Sequence, residues 1–576
     1  MKRTLRYILI LLVVLTSLVI SHWAAAQAIR LDGLKDQFGK GKALKLGGAL
    51  SANGIYYNGN GNYGRAPFSY FINGTLNLNL YGLVNLPFSF TLSDFGSSYR
   101  YPIPPNRFSI HPSYKWVTGH IGNIAMTFSP YTLNGYLFAG AGVDLEPEGP
   151  VKVSAIYGRL QRATEYDSAN RTVPAAYQRM GFGTKVQFQN TTYRAGVIVF
   201  HASDDPHSLQ YQPDSLGIRP MENTVVSVNG GAKVMKQVDL SVEYALSALT
   251  QDVRAAPAEG SGLLGHIMRS KESTGFYSAW KSQLQYTLEN AVLGATYERI
   301  DPGYQTLGAY YINNDLENIT VNAAQPLFKG KVQVAVNVGF QRDNLNGAKS
   351  GSSSRSIGSA NVAYTPNEKV NTTFSYSNFQ TFMRIRPQFT TINRLDNFQN
   401  LDTLDYTQVS QNANAALSYT LGQSEEKMRV LSADLSFQQT ADEQGGVVKN
   451  GNGSQFYNAS LGYNLMHMVQ GYNFSAAFNA TYNTIGRNDF ITLGPLVSFN
   501  AKLLKKKLSA GTSLSYNASK TDGAWDNTVL NVRCTGVYTP LRRHSLNLII
   551  LNQFRTSPTR SNTNDLTVTV GYNFTF

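Results

Sequence analysis

Along "PFSYFINGTLNLNLYGLVNLPFSFTLSDF" large apolar residues fall on alternate positions. Phe68, Tyr70, Ile72, Leu76, Leu78 and Leu80 share one face, and Asn73, Thr75, Asn77 and Asn79 take the other. After Gly82–Asn85 the phase resumes with Leu86, Phe88, Phe90 and Leu92. Side chains that alternate with period two describe a strand with one apolar and one polar face, not a helix. From about residue 43 to the end this unit recurs: an alternating run, a short turn, a second run, then a longer polar loop. Each run matches the about 9–11 residues that a tilted strand needs to cross a bilayer.

Short turns are predicted near residues 83, 148, 191, 236, 289, 329, 367, 424, 468, 505 and 541, among them "FKGK" (328–331), "LKKK" (504–507) and "LRRH" (541–544). The connections between them are longer and rich in Gly, Ser, Asn and Asp, as in 202–222, 252–273 and 382–407. Short turns on one side and long loops on the other are the signature of a transmembrane barrel. A soluble propeller would show a constant blade length and a repeated motif, and neither is present. Eleven turns join 22 strands, and one strand at each end brings the expected count to 24, with 22 to 26 allowed by the irregular stretch 113–147. That stretch reads either as one strand plus an inward-folded segment or as an extra pair. The expected class is therefore all-β, a single antiparallel barrel over 43–576.

Composition agrees with this pattern. Charged residues make up 15 % of the chain, against about 25 % in a soluble domain. Aromatics reach 12 %, from 34 Tyr, 29 Phe and 4 Trp, and many sit at strand ends, as Tyr56, Tyr57, Phe68, Tyr70, Tyr516, Tyr538 and Tyr572 do. Amphipathic rings at such positions form the belts that set depth in a bilayer. The lone Cys534 rules out an internal disulfide and lies in phase with Val532 and Tyr538, as a small apolar filler.

The start of the chain is different. Lys2, Arg3 and Arg6 precede "YILILLVVLTSLVI", and Ala24, Ala25 and Ala26 follow it. A basic head, an apolar stretch and small residues make a secretory signal over 1–26, removed after Ala26. Residues 27–42 are then a short basic tether, too short for a plug domain. Loss of the signal lowers the formal charge from +14 to +11, because residues 1–26 hold three cations and no acid. For an exported chain the surplus points to anionic headgroups or an anion-preferring lumen, and no nucleic-acid partner is expected.

The chain closes on "DLTVTVGYNFTF", 565–576. With its signal and strand rhythm, this ending resembles that of Gram-negative integral outer-membrane β-barrel proteins. The resemblance implies that Val570, Tyr572, Phe574 and Phe576 form the C-terminal strand read by the barrel-assembly machinery. It also implies outer-membrane lipid and lipopolysaccharide as surroundings. The segment "SIHPSYKWVTGHIG…TFSPYTLNGY…GAGVDLEP" is similar to large barrels of the Bacteroidota, and that similarity implies no activity.

Specific chemistry is sparse. "FHASDDPH" sets His201 and Ser203 on one strand face, where an imidazole could activate a hydroxyl if a third group oriented it. No metal-binding or phosphate-binding motif occurs, and neither cofactor nor catalysis is expected. A barrel this wide needs narrowing. Candidates are loops 96–113 and 382–407, the stretch 113–147, or a partner. The proline-rich 102–112 with Arg100, Arg107, His111 and Lys115 reads as the leading constriction, because a rigid basic loop would bias a pore toward anions. The expected function is a loop-restricted channel or porin for solutes. Its alternative is a non-transporting scaffold or subunit of an envelope assembly, with a periplasmic or lipoprotein partner. A lipid hydrolase built on His201 and Ser203 is the third reading.

Overall fold

The computed structural model describes residues 44–61, 66–94, 106–167, 175–258, 270–348, 354–378, 411–440, 443–444, 447–448, 453–559 and 561–576. The expected signal, the tether and Arg100 lie outside them, as does the whole of 382–407. Nearly every described segment is a strand of one antiparallel sheet, and each strand pairs with its neighbours in sequence. The sheet closes on itself. Ala49 pairs with Thr575 and Gly59 with Asp565, so Leu44–Gly59 and Thr563–Thr575 are partners, as the terminal pattern predicts.

Among the described residues the sheet holds 27 strand segments, but Arg107–Ile110 and Ser113–Tyr114 share one position between Val84–Ser93 and Val117–Thr127, leaving 26 positions in the ring. The count falls at the top of the expected range. The added pair comes from a twelfth short turn at Lys115–Trp116, inside the stretch 113–147. Pro112 interrupts the strand ahead of that turn because proline has no N–H for the ladder. A separate two-residue hairpin, Glu443–Gln444 with Val447–Val448, stands apart from the barrel.

The alternation in sequence becomes an inside and an outside. On Thr563–Thr575, Asp565, Thr567 and Thr569 point inward and are buried, while Val570 is half-exposed on the outer wall. Phe68, Tyr70, Phe108, Ile121, Tyr157 and Leu461 are among the large apolar side chains exposed outside. Tyr57 departs from the expected belt. It faces inward and donates its hydroxyl to Asp565 Oδ1 at 2.7 Å, across the closing seam. The tight turns take left-handed backbone where predicted, at Phe328 and Lys329, and at Leu504, Lys505 and Lys506.

Candidate functional site in the lumen

Among the described residues, two connections on the long-loop side turn inward. Phe128–Leu133 joins Val117–Thr127 to Asn134–Leu145, and residues 301–315 join Val292–Ile300 to Leu316–Leu327. Ser129 and Thr132 brace the first loop through their hydroxyls at 3.0 Å, and the Phe128 N–H donates to Leu133 O at 2.8 Å. Its Tyr131, Thr132 and Leu133 are almost fully buried, as are Tyr304, Thr306 and Leu307 of the second. Loops this buried must satisfy their backbone groups by other means than water.

The two loops do so by bonding each other. Tyr304 Oη donates to Tyr131 O at 2.8 Å, Thr306 Oγ1 to Thr132 O at 2.7 Å, and the Asn134 N–H to Gly308 O at 2.9 Å. Tyr136 and Tyr310 stack with ring centroids 4.3 Å apart. The wall supplies the remaining partners. The Leu307 N–H donates to Asn223 Oδ1 at 3.1 Å, Asn223 Nδ2 donates to Ser247 Oγ at 2.8 Å, and Ser247 Oγ donates to Gln305 O at 2.7 Å.

Beneath the loops the inner wall is apolar. Ile124, Met126, Phe138, Ile156, Leu160, Ile198, Phe200, Val225 and Ala279 form one buried cluster with Tyr131, Tyr304 and Leu307. Full burial of such side chains contributes roughly 1.5–3 kcal/mol each. Glycine makes the close approach feasible. A Cβ on Gly183 would sit 2.9 Å from the Phe128 ring, and one on Gly308 would sit 2.7 Å from Thr132 O.

A charged belt underlies this seal. Lys185 Nζ donates to Phe128 O at 2.9 Å, and Tyr131 Oη donates to Glu298 Oε1 at 2.5 Å. Strand register sets Glu243 opposite Lys281 and Lys281 opposite Glu298. Ser154 stands between Asp144 and Lys185 on the adjoining strands. Burial first, and the Glu298 carboxylate next, push the Tyr131 phenol far above its usual range, so it remains a donor. Burial acts in the same direction on Tyr304.

The other sector of the wall is lined by hydroxyls and amides. Ser475 and Ser498 meet at 2.5 Å, Thr481 Oγ1 donates to Asn458 Oδ1 at 2.8 Å, and Gln553 Nε2 donates to Asn531 Oδ1 at 3.0 Å. Such a surface tolerates water, whereas the sealed sector excludes it.

Of the expected constriction residues, Arg100 lies outside the described residues, and the other three occupy different elements. Arg107 lies in the interrupted strand, on the face opposite outward Phe108. His111 sits at its break, and Lys115 occupies the short turn on the other rim with its Nζ 5.4 Å from the Tyr114 ring centre. The segment that does fold inward, 128–133, belongs to the stretch 113–147. Its wall partner 301–315 had no distinctive sequence signal. His201 and Ser203 share the outer face but are not bonded to each other. His201 Nδ1 meets Thr224 Oγ1 at 2.9 Å, and Ser203 Oγ reaches the Asp204 carbonyl at 3.5 Å.

On the long-loop rim, Arg254 clasps two loops. Its guanidinium donates to Asp214 Oδ1 at 2.7 Å and to Asp252 Oδ2 at 2.8 Å. Those bonds hold both carboxyls below the usual carboxylate range.

Three solved structures are similar to this chain. The translocation pore of the P pilus usher PapC aligns at 8 % identity and a TM-score of 0.37, over 92 % of this chain and 99 % of its own. The FrpB iron transporter of Neisseria meningitidis (F5-1 variant) aligns at 11 % and 0.37, over 94 % and 84 %. The copper transporter OprC aligns at 10 % and 0.39, over 92 % and 80 %. No protein-family model matches the chain, and no curated protein matches it.

Proposed function

We propose that this protein is an outer-membrane channel that passes small polar solutes through a lumen narrowed by its own external loops. The observation that carries the reading is the division of the inner wall. One sector is a packed core sealed by 128–133 and 301–315, and the other is a wall of Asn, Ser, Thr and Gln suited to water. A circular barrel of this strand number would measure roughly 50 Å across its backbone, so narrowing is a physical necessity. Outward Phe68, Tyr70, Phe108 and Leu461 suit a bilayer surrounding, and a secretory start suits export.

Purified protein in planar bilayers tests this. Reproducible ohmic steps in potassium chloride support a channel. Incorporated barrels that stay silent would leave the scaffold reading, in which the sealed sector is one part of a full closure and a periplasmic or lipoprotein partner is the functional contact. The net positive charge of the mature chain favours anions over cations in the reversal potential.

A further inference from the structure

A chain of hydrogen bonds crosses the inner wall toward the short-turn rim and ends on Asp144 of the charged belt. Asp144 Oδ2 meets His120 Nε2 at 2.9 Å, His120 Nδ1 meets His111 Nδ1 at 2.7 Å, His111 Nε2 meets Ser109 Oγ at 3.2 Å, and Ser109 Oγ meets Ser89 Oγ at 2.8 Å. These residues come from four neighbouring wall positions, held in register by Ser89 opposite Ser109 and Asp144 opposite Thr118. The two imidazoles lie edge to face with centroids 5.0 Å apart.

One carboxylate fixes the direction of the whole chain. An ionised Asp144 can only accept, so His120 carries its hydrogen on Nε2 and presents a bare Nδ1. His111 must then donate from Nδ1, which leaves its Nε2 bare and facing the Ser109 hydroxyl. That is the polarity of an activated nucleophile: a hydroxyl donating to a base, and a base oriented by a further group. A pair of histidines whose only task was to join two strands would have no need for a buried serine at one end and a carboxylate at the other.

We propose that Ser109 is the nucleophile of an esterase centre on the lumenal wall, with His111 as its base and His120 and Asp144 as positioning residues, acting on esters of small acyl groups such as acetyl. Ser109 is only 7 % exposed, so a short acyl group is the substrate expected to reach it. Ser109 Oγ attacks the carbonyl carbon while its proton passes to His111 Nε2. The ester C–O bond then breaks, and the departing alcohol takes the proton from His111. Water attacks the acyl-serine carbonyl and gives its proton to His111, which passes it to Ser109 Oγ as the acyl C–O bond breaks, releasing the acid and restoring both residues. The Ser89 hydroxyl, 2.8 Å from Ser109 Oγ, holds the nucleophile in place from the neighbouring strand. The activity is independent of conductance, and it departs from the expectation of a barrel without catalysis.

The test uses full-length, detergent-purified barrel whose assembly is checked by its heat-dependent gel mobility. Diisopropyl fluorophosphate should label Ser109, located by peptide mass spectrometry. Para-nitrophenyl acetate should be hydrolysed, and the palmitate ester should not. Ser109→Ala should abolish both signals. His111→Asn should lower acetate turnover by about 100-fold or more, as loss of a general base does, while Ser203→Ala leaves it unchanged. Asp144→Asn should lower kcat more than it changes KM and should shift the pH–rate profile, which a purely structural role would not do. Assembled wild-type protein that leaves Ser109 unlabelled, or an assembled Ser109→Ala variant that hydrolyses acetate at the wild-type rate, would overturn the proposal.

Discussion

Tyr131 donates its hydroxyl to Glu298 across 167 residues of chain, from an inward-folded loop to the inner face of a strand. The bond fastens one end of the lumenal seal to the far side of the sector that it covers. Tyr131→Phe keeps the ring and removes the donor, leaving Glu298 with Asn318 Nδ2 at 3.4 Å. A hydrogen bond to a charged group contributes about 1.5–3 kcal/mol. The variant should still assemble, with larger or noisier single-channel steps and faster protease cleavage within 128–133. Steps of wild-type size and quietness would show that the seal does not limit the pore.

Lys281 tests whether the belt lines the conducting path. It stands between Glu243 and Glu298 on neighbouring strands. Lys281→Glu would put three acids side by side, with Lys185 as the belt cation left near Glu243. The reversal potential in a salt gradient should move toward cations, and more so in dilute salt. An unchanged potential would place the path elsewhere in the lumen.

The closing seam was legible from residues 565–576 because a strand with one apolar face and no spare edge has a single partner to find. The twelfth turn was not. Around Lys115 the alternation is lost at Pro112, so "SIHPSYKWV" carries neither a clean strand nor a standard turn. The seal was half-visible. In "GVIVF" (196–200) Val197, Ile198, Val199 and Phe200 are apolar on both faces, the mark of a strand covered on both sides. Ile198 and Phe200 do lie wholly buried beneath the inward loops. Which loop provides the cover is a long-range choice, made by Asn223, Ser247 and Glu298, and nothing local announces it. The Ser109–His111–His120–Asp144 chain was hidden for the same reason, since only the register brings His120 and Asp144 to His111.

The Arg254 clasp should respond to acid. Its bonds are the main cause of the lowered carboxyl values at Asp214 and Asp252. A depressed folded-state value means stability present at neutral pH and lost as pH falls through that value, below the ordinary carboxylate range of about 4. Both groups are at the surface, so the effect should be local. Hydrogen exchange in 206–221 should quicken below about pH 4, well before the strands open. In Arg254→Ala the loop should exchange quickly at neutral pH as well, with little further change on acidification. A wild-type loop equally protected at both pH values would show that the clasp does not order it.

The C-terminal residue should matter for assembly and little for passage. Phe576 packs its ring edge to face on Phe574 with centroids 4.9 Å apart, and its N–H donates to Gly48 O at 3.0 Å, extending the closing ladder by one bond. It touches neither the seal nor the charged belt. A ladder of this length, from Ala49–Thr575 to Gly59–Asp565, can lose one terminal bond at a cost of about 1 kcal/mol. Thermodynamics alone therefore predicts near-normal levels of a Phe576 deletion. If the terminal aromatic is instead what the assembly machinery reads, heat-modifiable barrel in the membrane should fall several-fold. The molecules that do assemble should keep wild-type conductance. The same deletion refolded from urea into detergent, where no machinery acts, should recover as well as the intact chain. Equal losses in the two settings would assign Phe576 to closure of the sheet and not to recognition.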